Sequence, residues 1–173
     1  RLRLAGHKNV RLLLFACDPN YHHKPAELTS EEQQKYSSDI CFVGSMYPGR
    51  LRMFEKISDF DISIWGPGWD EIPQGSSLNA LIKGGSLTPD EWVKAYSASR
   101  MVLNNISSFA PCIDNMMNTR VFEIPACGSL QLVDARDDVL MYFTSGHELV
   151  CYGNTQDLRR LFNYYLDHED EAV

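Results

Sequence analysis

The chain has no run of about 18 apolar residues, so its sequence offers no membrane-spanning helix. Its five cysteines, Cys17, Cys41, Cys112, Cys127 and Cys151, are odd in number and widely spaced, with no C-x-x-C pair. That pattern gives neither a disulfide framework nor a zinc spacing. It reads as reduced thiols, several of them small hydrophobes in apolar runs, and it suits a cytoplasmic protein. Basic residues are in the minority, 16 Lys+Arg against 23 Asp+Glu, for a formal charge of -7. A chain of that sign is poorly matched to a nucleic-acid backbone or an anionic membrane, although a small anion held in a local positive pocket remains compatible.

Catalytic signatures are scarce as well. There is no G-x-S-x-G elbow and no H-E-x-x-H helix. The glycines after the first strands match neither a Walker loop, since Lys-Ser/Thr is missing after Gly49, nor a G-x-G-x-x-G fingerprint. No internal repeat or low-complexity segment occurs, and nothing calls for a metal site, a cofactor or a divalent ion. Asp18-Pro19-Asn20-Tyr21-His22-His23 is rich in ligand types, but adjacent histidines diverge, so a hydrogen-bonded loop is favoured over a metal site.

What is present is an alternation of apolar runs and helical patterns in a chain of 173 residues, enough for one cored domain. Strands are expected at Val10–Ala16, 39–44, 61–65, 101–105, 130–133 and 148–152. Helices are expected near 30–36, 51–57, 78–82, 88–97, 139–143 and 156–168, with a short one bearing Arg120 and Glu123 and ending at a glycine. Thr88-Pro89-Asp90-Glu91 is the clearest helix start, with a capping threonine, proline in the first turn and glutamate three residues on. Strands that alternate with helices, and that are apolar throughout rather than every second residue, predict a three-layer α/β/α Rossmann-like domain on a parallel sheet. Ligands in such folds sit at the carboxyl ends of the strands.

Four segments fall at that edge. Gly44-Ser45-Met46-Tyr47-Pro48-Gly49-Arg50 follows a strand and leads into a helix, so its backbone N–H groups and the Arg50 cation suit a phosphate; a plain strand-to-helix turn is the competing reading. Gly66-Pro67-Gly68-Trp69 reads as a tight turn with Trp69 packing on the surface. Gly84-Gly85-Ser86-Leu87 reads equally as a connecting turn or as flexible backbone against a flat base. Asn118-Thr119-Arg120-Val121-Phe122-Glu123-Ile124-Pro125-Ala126-Cys127-Gly128 is the sharpest signal. Arg120 and Glu123, three residues apart, share a helix face, where a cation suits phosphate and a carboxylate suits a ribose diol. The competing reading is an Arg120–Glu123 surface ion pair, against which Pro125 marks an irregular helix.

Taken in order, DICFVGSMYPGR, DISIWGPGW, EWVKAYSASRMVLNN, NTRVFEIPACGSLQLVD and FTSGHELVCYGNTQDLRRLFNYYL resemble the C-terminal half of GT-B glycosyltransferases, most closely the CgeB-like branch of the group 1 glycosyl transferases. The most specific piece is R-x-F-E-x-x-A-C-G before an apolar strand. The resemblance implies binding of a nucleotide-diphosphate sugar for hexosyl-type transfer to an unknown acceptor. It places Gly44 and Ser45 at the diphosphate with Arg50 as a phosphate cation, Ser86 and Leu87 beside the base, Thr119 and Arg120 near the phosphates, and Glu123 on the ribose. Many retaining relatives carry two glutamates separated by seven residues; here the earlier position is Asn115, not Glu, which leaves the donor-sugar contact and the stereochemistry open. No catalytic residue is assigned. Residues 1–28 resemble the link from an N-terminal acceptor-binding domain, and 29–173 the nucleotide-sugar-binding domain. Such a unit is expected to bind donor while transferring little or nothing alone. Two rivals remain, a non-catalytic nucleotide-binding or interaction module and half of a sugar-nucleotide epimerase.

Overall fold

The computed structural model describes residues 4–11, 13–25, 27–106 and 117–171. Six strands form one sheet: β1 (Ile40–Val43), β2 (Ile62–Trp65), β3 (Ile82–Gly84), β4 (Met101–Asn104), β5 (Leu130–Asp134) and β6 (Val150–Tyr152). Six helices connect and cover them: α1 (Ser30–Tyr36), α2 (Pro48–Glu55), α3 (Pro89–Ala98), α4 (Arg120–Ala126), α5 (Asp137–Leu140) and α6 (Thr155–Asp167). All strand pairings are parallel, in the order β3-β2-β1-β4-β5-β6.

Residues alternate between two buried faces. Ile40 and Phe42 of β1, Ile62 and Ile64 of β2, and Leu103 of β4 pack with Met53 and Phe54 of α2, with Ile57 just past it, and with Leu158 and Phe162 of α6. Cys41, Val43, Trp65 and Val102 face the other way, onto Val93, Ala95 and Tyr96 of α3 and Ile124 of α4. A sheet covered on both sides explains why its strands are apolar at every position. The helices start where their caps dictate: Thr29–Glu32 opens α1 and Thr88–Glu91 opens α3, each as a complete capping box.

Three expectations are corrected. The described residues of Val10–Ala16 form no strand; Leu13 is 94% exposed and Phe15 55%. An apolar run becomes a strand only where a sheet edge accepts its hydrogen bonds, and the edges here belong to β3 and β6. The segment 78–82 is turn rather than helix and leads into β3, whose Ile82-Lys83-Gly84 is too short and glycine-rich to read as a strand. Trp69 packs in the core rather than on the surface. Its ring stands edge-on to Phe42 and Phe54, with centroids 6.1 and 5.3 Å away, an arrangement worth about 0.5–1.5 kcal/mol per pair beyond burial.

Candidate functional site

The strand order reverses between β1 and β4, because the chain first builds β2 and β3 on one side of β1 and then returns to build β4 on the other. In folds of this kind the ligand crevice lies at that point, beyond the carboxyl ends of the strands. The pairing loosens there. β1 matches β2 along all of Ile40–Val43, but it matches β4 only at Ile40 and Cys41.

Arg50 spans this crevice. From α2, its Nη1 donates to the Ser45 carbonyl and its Nη2 to the Asn105 carbonyl, both at 2.7 Å, tying the loop after β1 to the loop after β4. Its guanidinium carbon lies 5.1 Å from the ring centre of Phe42 and 5.1 Å from that of Tyr47. Burial first, and then the nearby Arg120 cation, push its pKa down to about 10. The group stays charged at neutral pH, and its environment disfavours that charge. Neither Arg50 nor Arg120 forms an ion pair among the described residues.

The loop after β1 is packed backbone against backbone. Gly44 donates its N–H to Trp65 O at 2.8 Å and accepts from the Trp69 indole at 2.8 Å, while Met46 N–H reaches Pro67 O. A Cβ on Gly66, whose φ is +140°, would lie 2.2 Å from the Gly44 carbonyl oxygen. Gly44 thus shapes the loop with both of its backbone groups engaged. The Ser45 N–H and hydroxyl beside it take no partner among the described residues.

Ser86 and Leu87 follow β3 on the same carboxyl edge, two strands away from β1. Ser86 is exposed, and the Leu87 carbonyl accepts from the Trp92 indole at 2.8 Å. Thr119 precedes α4 in a helical conformation and makes no capping bond with its side chain. Arg120 opens α4 against the Tyr96 hydroxyl, which burial holds in its neutral form. Glu123, one turn on, is 8% exposed. It pairs with no Arg120 guanidinium; the basic side chain facing it is His22, whose Nε2 is 3.8 Å from Oε1. Pro125 sits inside α4, and Gly128 closes it at φ +69°. Asn115 lies outside the described residues.

Several residues of the crevice were not among the expected ones. Asn104 and Asn118 exchange amide hydrogen bonds at 3.1 and 2.9 Å, fixing the start of α4 to the end of β4. Asn105 donates to Tyr152 at 3.0 Å, and the Ile106 N–H donates to Asp134. The available signal was the pair of asparagines ending an otherwise apolar strand. The sequence also holds one Asp-x-Asp spacing, Asp59-Phe60-Asp61. Both carboxylates are engaged before β2, at the opposite edge: Asp59 with Arg159, and Asp61 with the Asp39 N–H. Asp18 to His22 close into a hydrogen-bonded turn, with Tyr21 and His22 N–H on Asp18 O. Among the described residues no cluster of three metal-ligating side chains occurs. Cys41 and Cys127 are pushed up to about 12 by burial, which keeps these two thiols protonated at neutral pH.

A family model described as "Glycosyl transferase-like" matches residues 50–173. No curated protein matches the sequence. Among solved structures, Anabaena HepE in complex with UDP-glucose superposes with a TM-score of 0.65 at 11% identity, covering 91% of this chain and 48% of that one. Sucrose-phosphate synthase from Thermosynechococcus elongatus superposes with a TM-score of 0.65 at 11% identity, covering 94% of this chain and 44% of its own. The chain therefore has the Rossmann-like fold of GT-B glycosyltransferases and spans less than half the length of these two. Among the described residues no helix is long and apolar enough to cross a membrane.

Proposed function

The chain belongs to the glycosyl transferase-like family, and on that premise we propose that it is the donor-binding half of a cytoplasmic glycosyltransferase that moves a sugar from a nucleoside diphosphate to an acceptor. The observation that carries this reading is the pair of arginines at the reversal of strand order. Arg50 and Arg120 repel one another at the mouth of a crevice, and no carboxylate among the described residues forms an ion pair with either. A diphosphate relieves that repulsion. In the transfer step the same two cations stabilise the negative charge that grows on the leaving diphosphate. The unpaired Ser45 N–H adds a donor from the loop, and Glu123 accepts from the ribose hydroxyls. Ser86 and Leu87 fall to the base side of this arrangement and Thr119 to the phosphate side.

The acceptor and any catalytic base belong, in this reading, to an N-terminal domain. These residues alone are then expected to bind donor without turnover, and neither a metal nor a cofactor takes part. A thermal-shift panel of UDP, GDP, ADP and TDP tests it: a ligand at a hundred times its Kd stabilises the folded form by about 2.7 kcal/mol. At least one diphosphate should raise the midpoint, with and without EDTA. A flat panel refutes the proposal, and loss of the shift in EDTA refutes its metal-free form.

A further inference from the structure

The residues that follow β4 are gripped from β5 and β6. Asp134 and Tyr152 are register partners at the carboxyl ends of these two strands, so their side chains leave the sheet on the same face. Each takes one group of the segment after β4. Asp134 accepts the Ile106 N–H, and the Tyr152 hydroxyl accepts the Asn105 side-chain amide at 3.0 Å. Asn105 is buried, and its Oδ1 has no partner, so among the described residues Tyr152 is the one hydrogen-bond partner of that side chain. Tyr152 itself packs with Leu103, Leu132 and Phe162 on the face that α2 and α6 cover. Burial first, and then the Asp134 carboxylate, raise its pKa, which keeps the hydroxyl neutral.

The same Asn105 holds Arg50 through its backbone. Arg50 Nη2 donates to the Asn105 carbonyl and Nη1 to the Ser45 carbonyl. This happens where β1 and β4 have ceased to pair, beyond Cys41 and Val102, so the guanidinium ties the two segments where the ladder does not. Its place is set by two backbone carbonyls. The Ser45 end is fixed by the packing of Gly44 on Trp65 and Trp69. The Asn105 end is fixed from β6, at the far side of β5.

We propose that Tyr152 is a positioning residue for diphosphate binding, which acts through Asn105 to set where the Arg50 guanidinium sits. The inference rests on the proposed donor-binding reading and extends it to β6, a strand that carries none of the expected site residues. Without the Tyr152 hydroxyl, the buried Asn105 amide loses its partner. The segment after β4 then relaxes, and Arg50 holds its charge in a less defined place. A nucleoside without phosphates makes no use of that charge.

The test is calorimetry of the whole chain with the best-binding diphosphate among UDP, GDP and ADP and with its parent nucleoside. Tyr152→Phe, which keeps the ring, should weaken the diphosphate about 3- to 10-fold and leave the nucleoside unchanged. In an Arg50→Gln background the same change should have no further effect on either ligand. Arg50→Lys, which also lacks the planar fork, serves as that background where Arg50→Gln does not fold. Val150→Ala removes buried packing from β6 but no bond to Asn105, so it should lower the melting midpoint and leave the ratio of the two affinities intact. A purely structural Tyr152 would behave like Val150→Ala. An unchanged ratio in Tyr152→Phe, an equal loss in Val150→Ala, or a loss that persists in the Arg50 variants overturns the inference and leaves the donor-binding reading standing. Absence of any diphosphate binding by the wild type overturns both.

Discussion

Gly66 and Trp69 show how individual residues shape the loop that faces the crevice. Gly66 runs so close to the Gly44 carbonyl that a methyl group has no room, and its φ of +140° disfavours any other residue. Gly66→Ala should cost more than about 2 kcal/mol, measured by urea denaturation; a loss within experimental error would mean the two loops are not in contact. Trp69→Phe keeps most of the ring but leaves the Gly44 carbonyl without its indole donor. A loss of about 1–3 kcal/mol is expected for that buried acceptor, with diphosphate binding weakened as the loop relaxes. Arg50 is a different case. Both of its bonds hold carbonyls of the two loops, so Arg50→Lys, which keeps charge but loses the planar fork, should lower stability as well as affinity.

At the level of elements, α3 depends on its first turn. Glu91 bonds the Thr88 N–H and side chain, and it also receives Lys35 and Tyr36 from α1, so it holds two helices together. Chiefly through the Thr88 N–H, and then Lys35 and Tyr36, its carboxyl is lowered to about 2. A lowered carboxyl contributes stability that is present above its ordinary range, near pH 4.5, and is lost as pH falls toward 2. Glu91→Gln should therefore narrow its stability deficit relative to the wild type as pH drops from 5 to 2; a constant deficit across that window contradicts the ionised cap. Thr88→Ala should cost about 1 kcal/mol. Sequence reading served elements well where a cap or burial on both faces leaves a local mark, as in α3, β1, β2, β4 and β5. It failed at Val10–Ala16, because a run of Leu and Phe does not reveal whether a sheet edge is free to receive it. It also failed at β3, where Ile82-Lys83-Gly84 is held as a strand mainly by its pairing with β2.

For the whole molecule, the outline of the candidate site was legible because this topology puts every loop after a strand on one edge. Gly44, Ser45, Arg120 and Glu123 fall on the elements expected for them, whereas Ser86 and Leu87 follow a strand that was not expected. Their partners were not legible, since those are set by chain segments distant in sequence. Arg50 reads as a free cation until its bond to the Asn105 carbonyl is seen. Glu123 reads as a partner of Arg120 until His22 is found facing it. The asparagine pair of Asn104 and Asn118 leaves only a polar ending on an apolar strand.

The central claim is that two adjacent arginines at the reversal of strand order hold a diphosphate. The most direct measurement is calorimetric titration of the best-binding nucleoside diphosphate and of its parent nucleoside against the wild type and Arg120→Gln. Loss of a charge-assisted contact of about 1.5–3 kcal/mol should weaken the diphosphate about 10- to 100-fold and leave the nucleoside almost unchanged. Equal affinity of both proteins for the diphosphate, or equal losses for the two ligands, would contradict the account.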